Sequence, residues 1–142
     1  MGKVMTKVKL TNREDEMMAR RGLLPPNEVR TLEIEVLVDT GATMLVLPAD
    51  VCRKLGLTEV DRRRVRYADG RVGEVPRVTN VGIEILGRDM VGSALVEAEG
   101  TTPLIGQIPL EELDLVVNPG TGDLMPDPAS PDAPLLDLLL AS

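Results

Sequence analysis

Asp39, Thr40 and Gly41 have the types and spacing to do acid–base chemistry. They close the apolar run Val36-Leu37-Val38 and are followed by Ala42 and Thr43. A carboxylate at the end of an apolar run is costly to desolvate unless it is paired or shared. Gly41 removes a side chain where another group must approach closely. The chain has no His, which excludes Ser-His, Cys-His and His-metal mechanisms. Its single Cys52 excludes a disulfide framework within one chain.

Three readings of the stretch compete. In the first, Asp39 simply caps the local backbone, as Asp-x-Gly turns do. In the second, Asp39-x-Gly41-x-Thr43 is a phosphate loop of the kind that opens sugar kinases and actin-like ATPases. Those enzymes also need a second Asp-x-Gly loop and an adenosine-binding glycine pair, neither of which is present. Phosphatases with an aspartyl nucleophile want a second Asp two residues on, where Gly41 stands. The third reading needs the rest of the chain.

Residues 31–38 alternate, with Leu32, Ile34, Val36 and Val38 on one face and Glu33 and Glu35 on the other, so a strand carries Asp39 at its end. Before it, residues 3–10 alternate with lysines and read as an edge strand. Thr11 or Asn12 then caps a short helix that starts with acids, ends with Arg20 and Arg21, and stops at Gly22. After Asp39, residues 44–47 form a buried strand, and Pro48 starts a helix that Gly56 stops. Cys52 within it reads as a small buried apolar residue rather than a reactive thiol.

Residues 62–76 read as a hairpin around Ala68-Asp69-Gly70-Arg71. Another strand pair, 78–86 and 90–96, flanks the turn Gly87-Arg88-Asp89. A short strand Leu104-Ile105 meets Gly106, and a helix starts near Pro109 with Glu111 and Glu112 in its first turn. Residues 115–117 and 124–125 form a last hairpin. Eight or nine short strands with two or three short helices imply a mainly β domain, barrel-like or sandwich-like, over residues 1–126. Residues 127–142 are a Pro/Asp-rich tail with an apolar end, suited to docking in a cleft or along a strand edge, or else a frayed terminus.

The 142-residue length fits one domain. Tyr67 is the only aromatic residue, so Val, Leu, Ile and Met must build the core. Hydrophobic content of 43% with 27% charged residues fits a soluble globular protein. The net charge of −7 is uneven. Residues 1–88 hold all 16 bases beside 13 acids, net +3, and residues 89–142 hold 10 acids and no base, net −10. The basic cluster Arg62 to Arg66 with Arg71 has no aromatic platform beyond Tyr67, which argues against nucleic-acid binding and for a solvated strand face. No signal-like leader and no membrane-length apolar run are seen, so a cytoplasmic protein without membrane association is expected.

With these elements in order, the chain resembles the retropepsin-like aspartic peptidases, and the small single-domain bacterial-type members most. The resemblance rests on Leu37-Val38-Asp39-Thr40-Gly41-Ala42, the apolar Leu45-Val46-Leu47, the Asp69-Gly70 hairpin, and Pro103-Leu104-Ile105-Gly106 ahead of 108–113. It extends over residues 32–117. It implies a closed β-barrel or sandwich with a flap hairpin, acting as a homodimer on peptide or protein substrates without cofactor or metal. Two carboxylates a few ångström apart must share one proton, and this chain has one such loop. Asp39 would therefore be catalytic by meeting its copy across a two-fold axis.

The resemblance further implies that Thr40 locks the two loops together, that Gly41 leaves its backbone open to substrate, and that Ala42 completes the loop. Leu104, Ile105 and Gly106 would support it. Tyr67, Ala68, Asp69, Gly70 and Arg71 would form the flap, with Tyr67 either filling between strands or lining the cleft. The chain departs from viral members at Thr43 and Gln107, where those carry an Asp and an Arg that pair at the dimer interface. Both are changed together, so no charge is stranded. A retropepsin-like dimerisation or peptide-binding module without catalysis is the alternative function.

Overall fold

The computed structural model describes residues 3–138. Among the described residues the chain is mainly β, with nine strands: β1 (Met5–Asn12), β2 (Thr31–Val38), β3 (Leu45–Pro48), β4 (Thr58–Arg66), β5 (Val72–Ile85), β6 (Arg88–Glu97), β7 (Leu104–Ile105), β8 (Leu115–Val117) and β9 (Leu124–Pro126). Three α-helices interrupt them: α1 (Arg13–Arg20), α2 (Ala49–Leu55) and α3 (Gln107–Leu113). After α1 a 3-10 turn, Pro26–Glu28, follows Pro25 as its N-cap.

Seven strands form one sheet in the order β1-β2-β7-β3-β6-β5-β4, and β1 also pairs with β5, so the ladder returns on itself and leaves β4 outside the circuit. β8 and β9 make a separate two-stranded sheet. The strand carrying the expected lysines is therefore not an edge. β1 is paired on both sides, to β2 through Met5↔Leu37 to Thr11↔Thr31 and to β5 through Lys9↔Glu84 to Asn12↔Val81. Its lysines instead face acids across the ladders, Lys7 opposite Glu35 and Lys9 opposite Glu33 and Glu84, on the exposed side of the sheet.

The opposite faces supply the core. Val8, Leu10, Val36, Leu45, Leu47, Val81, Ile83, Ile85, Ala94 and Ile105 are buried together with Leu110 and Leu113 of α3. Alternation puts every second side chain inward, and without Phe or Trp this interior is filled by branched aliphatics. Cys52 is buried among them.

β5 is one 14-residue strand where two separate strands were expected. It serves three partners in turn, β4, β6 and β1, and absorbs the change at an irregularity between Val78 and Val81, where Asn80 takes φ +57°. Leu86 and Gly87, both at positive φ, close the tight turn into β6. α1 is capped as its sequence indicates, with the Asn12 side chain accepting from the Asp15 backbone N–H at 3.0 Å.

Residues 127–135 are bonded to the body. Asp127 N–H donates to the Asp114 carbonyl at 2.9 Å, and Leu135 N–H donates to Asp114 Oδ2 at 3.1 Å. The Ser130 hydroxyl also donates to Asp114 Oδ2. Arg88, buried in β6, donates to the carbonyls of Leu113, Asp114 and Ser130. Leu135, Leu136 and Leu138 are exposed. Leu139 and Leu140, at the apolar end of the tail, lie outside the described residues.

Candidate active site

Asp39 sits where β2 stops. Up to that point the strand is bonded on both sides: Val38 N–H donates to the Val4 carbonyl at 2.8 Å, and Leu37 N–H to the Pro103 carbonyl at 2.9 Å. Asp39 N–H itself donates to the Ile105 carbonyl at 3.0 Å. The chain then turns, with Ala42 N–H reaching back to the Asp39 carbonyl at 3.1 Å. Gly41 N–H donates to Asp39 Oδ1 at 3.0 Å, which fixes the rotation of the carboxylate. Asp39 is half-buried, while Thr40 and Gly41 are exposed.

β7 is the wedge beneath this turn. It runs parallel to β2, with Leu37↔Leu104 and Val38↔Ile105, and antiparallel to β3 at Val46↔Leu104. Two residues of strand thereby join the segments before and after the Asp39 turn. Gly106 follows, and its N–H donates to the Met44 carbonyl at 3.0 Å. A Cβ built there would stand 2.6 Å from the carbonyl carbon and oxygen of Ala42 and 2.7 Å from Met44 N. The close approach is thus sharpest at Gly106. A Cβ on Gly41 would meet only Asp39 Oδ1, at 3.2 Å.

The same contact moves the start of α3. The helix begins at Gln107, two residues before Pro109, so Glu111 and Glu112 fall in its second half rather than its first turn. The first N–H groups of a helix lack intrahelical partners. Here Gln107 N–H donates to the Ala42 carbonyl at 2.8 Å and Ile108 N–H to the Thr43 carbonyl at 2.9 Å. The Asp39 turn therefore caps α3, and Pro109, with no N–H to donate, costs nothing at the helix's third position. The Gln107 side chain donates to Glu111 at 2.9 Å, within its own helix.

The β4–β5 hairpin turns through residues 67–71. Tyr67 N–H donates to the Arg71 carbonyl at 2.8 Å, Gly70 N–H to the Tyr67 carbonyl at 2.9 Å, and Arg71 N–H to Asp69 Oδ1 at 2.9 Å. Gly70 takes φ +86° with open space around it, as the turn requires. Ala68, Asp69, Gly70 and Arg71 are exposed. Tyr67 is half-buried, with Gly73 leaving room for its ring and its hydroxyl on Glu97 at 2.7 Å. Glu97 drew no attention in the sequence, since nothing local marks an acid thirty residues away as the tyrosine's partner.

Two open depressions lie away from Asp39. One, of about 540 Å³, is lined by residues from Lys9 to Thr31, at the other end of β2 from Asp39. The Cys52 thiol is pushed up to about 11, chiefly by burial and then by Asp50, and suits packing rather than nucleophilic attack. Among the described residues no group of three or more His, Cys, Asp or Glu side chains could hold a metal ion. No helix among them is long and apolar enough to cross a membrane.

The model of the family described as "gag-polyprotein putative aspartyl protease" matches residues 27–112. That span takes in the Asp39 turn, the β4–β5 hairpin and residues 104–106, and it covers more than half of the 142 residues. No curated protein matches the chain.

Proposed function

Because the chain belongs to this retropepsin-like family of gag-polyprotein aspartyl proteases, we propose that it is an aspartic-type endopeptidase active as a homodimer. The observation that carries the reading is the Asp39 turn: a half-buried carboxylate, oriented by Gly41 N–H, on backbone bonded on both sides by Val4 and β7. Such a turn offers one rigidly aimed acid. Peptide hydrolysis of this type needs two that share a proton, and a two-fold axis beside Asp39 supplies the second from an identical chain.

In the assembled site a water lies between the two carboxylates. The ionised one takes the water's proton as the oxygen attacks the peptide carbonyl carbon, and the protonated one gives its proton to the carbonyl oxygen. Collapse of the tetrahedral species breaks the C–N bond as the amine leaves protonated. The Thr40 hydroxyl, on an exposed residue at the turn, is free to reach the partner loop, and exposed Gly41 leaves backbone open to a peptide strand. The end of the β4–β5 hairpin, where residues 72–76 of β5 pair with β4 alone, acts as the flap over the substrate. The chemistry needs neither metal nor cofactor.

The test compares the wild-type protein with Asp39→Asn on apolar peptides at mildly acidic pH. Asn keeps an oxygen to accept from Gly41 N–H, so the turn stays folded while cleavage disappears. Cleavage surviving the substitution, or a protein that stays monomeric at concentrations where it cleaves, defeats the proposal.

A further inference from the structure

From Val72 to Pro76 β5 pairs with β4 alone; its ladder with β6 starts at Arg77↔Leu95. Residues 62–76 therefore form an arm that projects past the sheet. An isolated two-stranded hairpin is marginal in water. The arm is not left to its own ladder, however. Tyr67, at its tip, reaches back to Glu97 at the end of β6 with a 2.7 Å hydrogen bond from its hydroxyl.

The ring has neighbours besides the acceptor of its hydroxyl. A Cβ on Gly73 would stand 3.2 Å from ring atom Cε2, so glycine at that position lets the ring lie close against β5. The Arg71 guanidinium lies 4.3 Å from the ring centroid on the exposed side. The carboxylate acceptor makes the bond charge-assisted and therefore stronger than a neutral one. Its effect on the phenol is to hold the hydroxyl's proton more firmly, against a smaller opposing influence from Arg71.

The geometry points to Tyr67 and Glu97 as a catch that fixes the arm's tip to the sheet, and so as positioning residues for the turn 67–71 over a bound peptide. The catch itself stands on the contacts above; its bearing on substrate rests on the peptidase reading. A tip fixed before substrate arrives is ordered in advance, and loosening it raises the cost of binding more than the barrier of the chemical step.

Amide hydrogen exchange on the full chain tests the catch without any need for activity. Tyr67→Phe deletes one oxygen and leaves the ring on Gly73 and under Arg71. Amides of residues 66–73 then exchange about fivefold faster, the loss of one hydrogen bond's worth of local stability, while those of β2 and β7 keep their rates. Glu97→Ala gives the same acceleration. Glu97→Gln, whose carbonyl oxygen still accepts, stays within about twofold of wild type. Unchanged exchange in Tyr67→Phe, or Glu97→Gln as fast as Glu97→Ala, overturns the catch.

Kinetics then test its role. Tyr67→Phe and Glu97→Ala each raise KM about fivefold with kcat within about twofold, while Glu97→Gln keeps KM within about twofold of wild type. A loosened arm with unaltered KM overturns the positioning role and leaves the peptidase reading standing. No cleavage by the wild-type protein defeats that reading, while exchange still decides whether the catch exists.

Discussion

Gly106 and Ala42 meet backbone to backbone, so closely that a Cβ on Gly106 would stand 2.6 Å from the Ala42 carbonyl. The contact joins the turn that carries Asp39 to the first residue of α3, whose N–H bonds that same carbonyl. Neither element can shift without the other. The acid is held by the packing of a glycine 67 positions later in the chain.

Gly106→Ala should therefore be among the more damaging single-methyl additions available. Both neighbours are backbone, which cannot swing aside as a side-chain tip would. Overpacking of this kind costs about 1–3 kcal/mol, and the strain falls on the Asp39 turn. The expected outcome is a melting temperature lowered by several degrees, with cleavage reduced further than the loss of folded protein explains. Gly106→Ala melting like wild type would show that the two backbones can separate without cost.

In the proposed homodimer a shared site makes activity depend on association. Diluted through the dimer's dissociation constant, the specific activity falls with protein concentration, whereas a site complete in one chain keeps it constant. Mixing excess Asp39→Asn protein with wild type should lower the activity per wild-type chain, because mixed dimers hold only one intact acid. Cleavage assayed across a dilution series, with sedimentation in parallel, checks both effects.

Local rules made much of this legible. Alternation over Thr31–Val38 located β2 and its buried face, and Asn12 with the acids after it located α1. The family resemblance, rather than a local rule, grouped Asp39 and Gly41 with Leu104 and Gly106. What the sequence hid was longer in range. Nothing near Lys7 or Lys9 reveals that β1 is paired on both sides, since a lysine reads alike on an edge and opposite a glutamate. Nothing near Gln107 reveals that carbonyls more than sixty residues earlier cap its helix. Arg88 looked like a turn residue, yet it is buried and donates to three carbonyls, that of Leu113 at the end of α3 and those of Asp114 and Ser130 after it.

Acid should loosen the junction of α1 with the start of β2. Asp15 accepts from Arg30 Nε at 2.8 Å, Nη2 at 2.9 Å and the backbone N–H at 3.1 Å. These bonds, the side-chain ones first, hold the Asp15 carboxyl below its ordinary 3.8. A carboxyl depressed in the folded state stabilises it fully above the unfolded value, and the contribution disappears as pH falls through the folded one. Asp15→Asn should lower stability by about 1–3 kcal/mol at neutral pH, since three bonds to a charged acceptor are weakened together. The gap to wild type should narrow steadily below about pH 4. Urea melts across that range would expose the opposite trend, a gap that widens in acid.

Cys52 gives a clock for opening. It is 7% exposed, its thiol is pushed up to about 11 by burial, and attack on a thiol reagent needs the thiolate in contact with solvent. At neutral pH the folded protein should resist labelling for as long as α2 stays on β3, and labelling should accelerate with denaturant in step with unfolding. Labelling as fast as that of a free thiol in native buffer would mean that α2 detaches on its own.

The tail should depend on Arg88. The guanidinium donates at 3.1 Å to the Leu113 carbonyl and at 3.0 Å to that of Asp114, and it also bonds the Ser130 carbonyl. Asp114 answers from the other side, with its carboxylate held below the usual range by the Ser130 hydroxyl first, then by Leu135 N–H, with a smaller contribution from Arg88. Arg88→Met keeps most of the buried stem and removes every donor, leaving buried carbonyls unpaired at about 1–3 kcal/mol. Segment 127–135 loses its bond through Ser130 at the same time. Ser130→Ala is the milder probe: it deletes only the hydroxyl bond to Asp114 and should cost about 1 kcal/mol. In both variants a protease should cut within residues 127–138 before it cuts the body, and Arg88→Met should be cut faster than Ser130→Ala. Cleavage of the tail at wild-type rates in Arg88→Met would mean that Asp114 alone holds it.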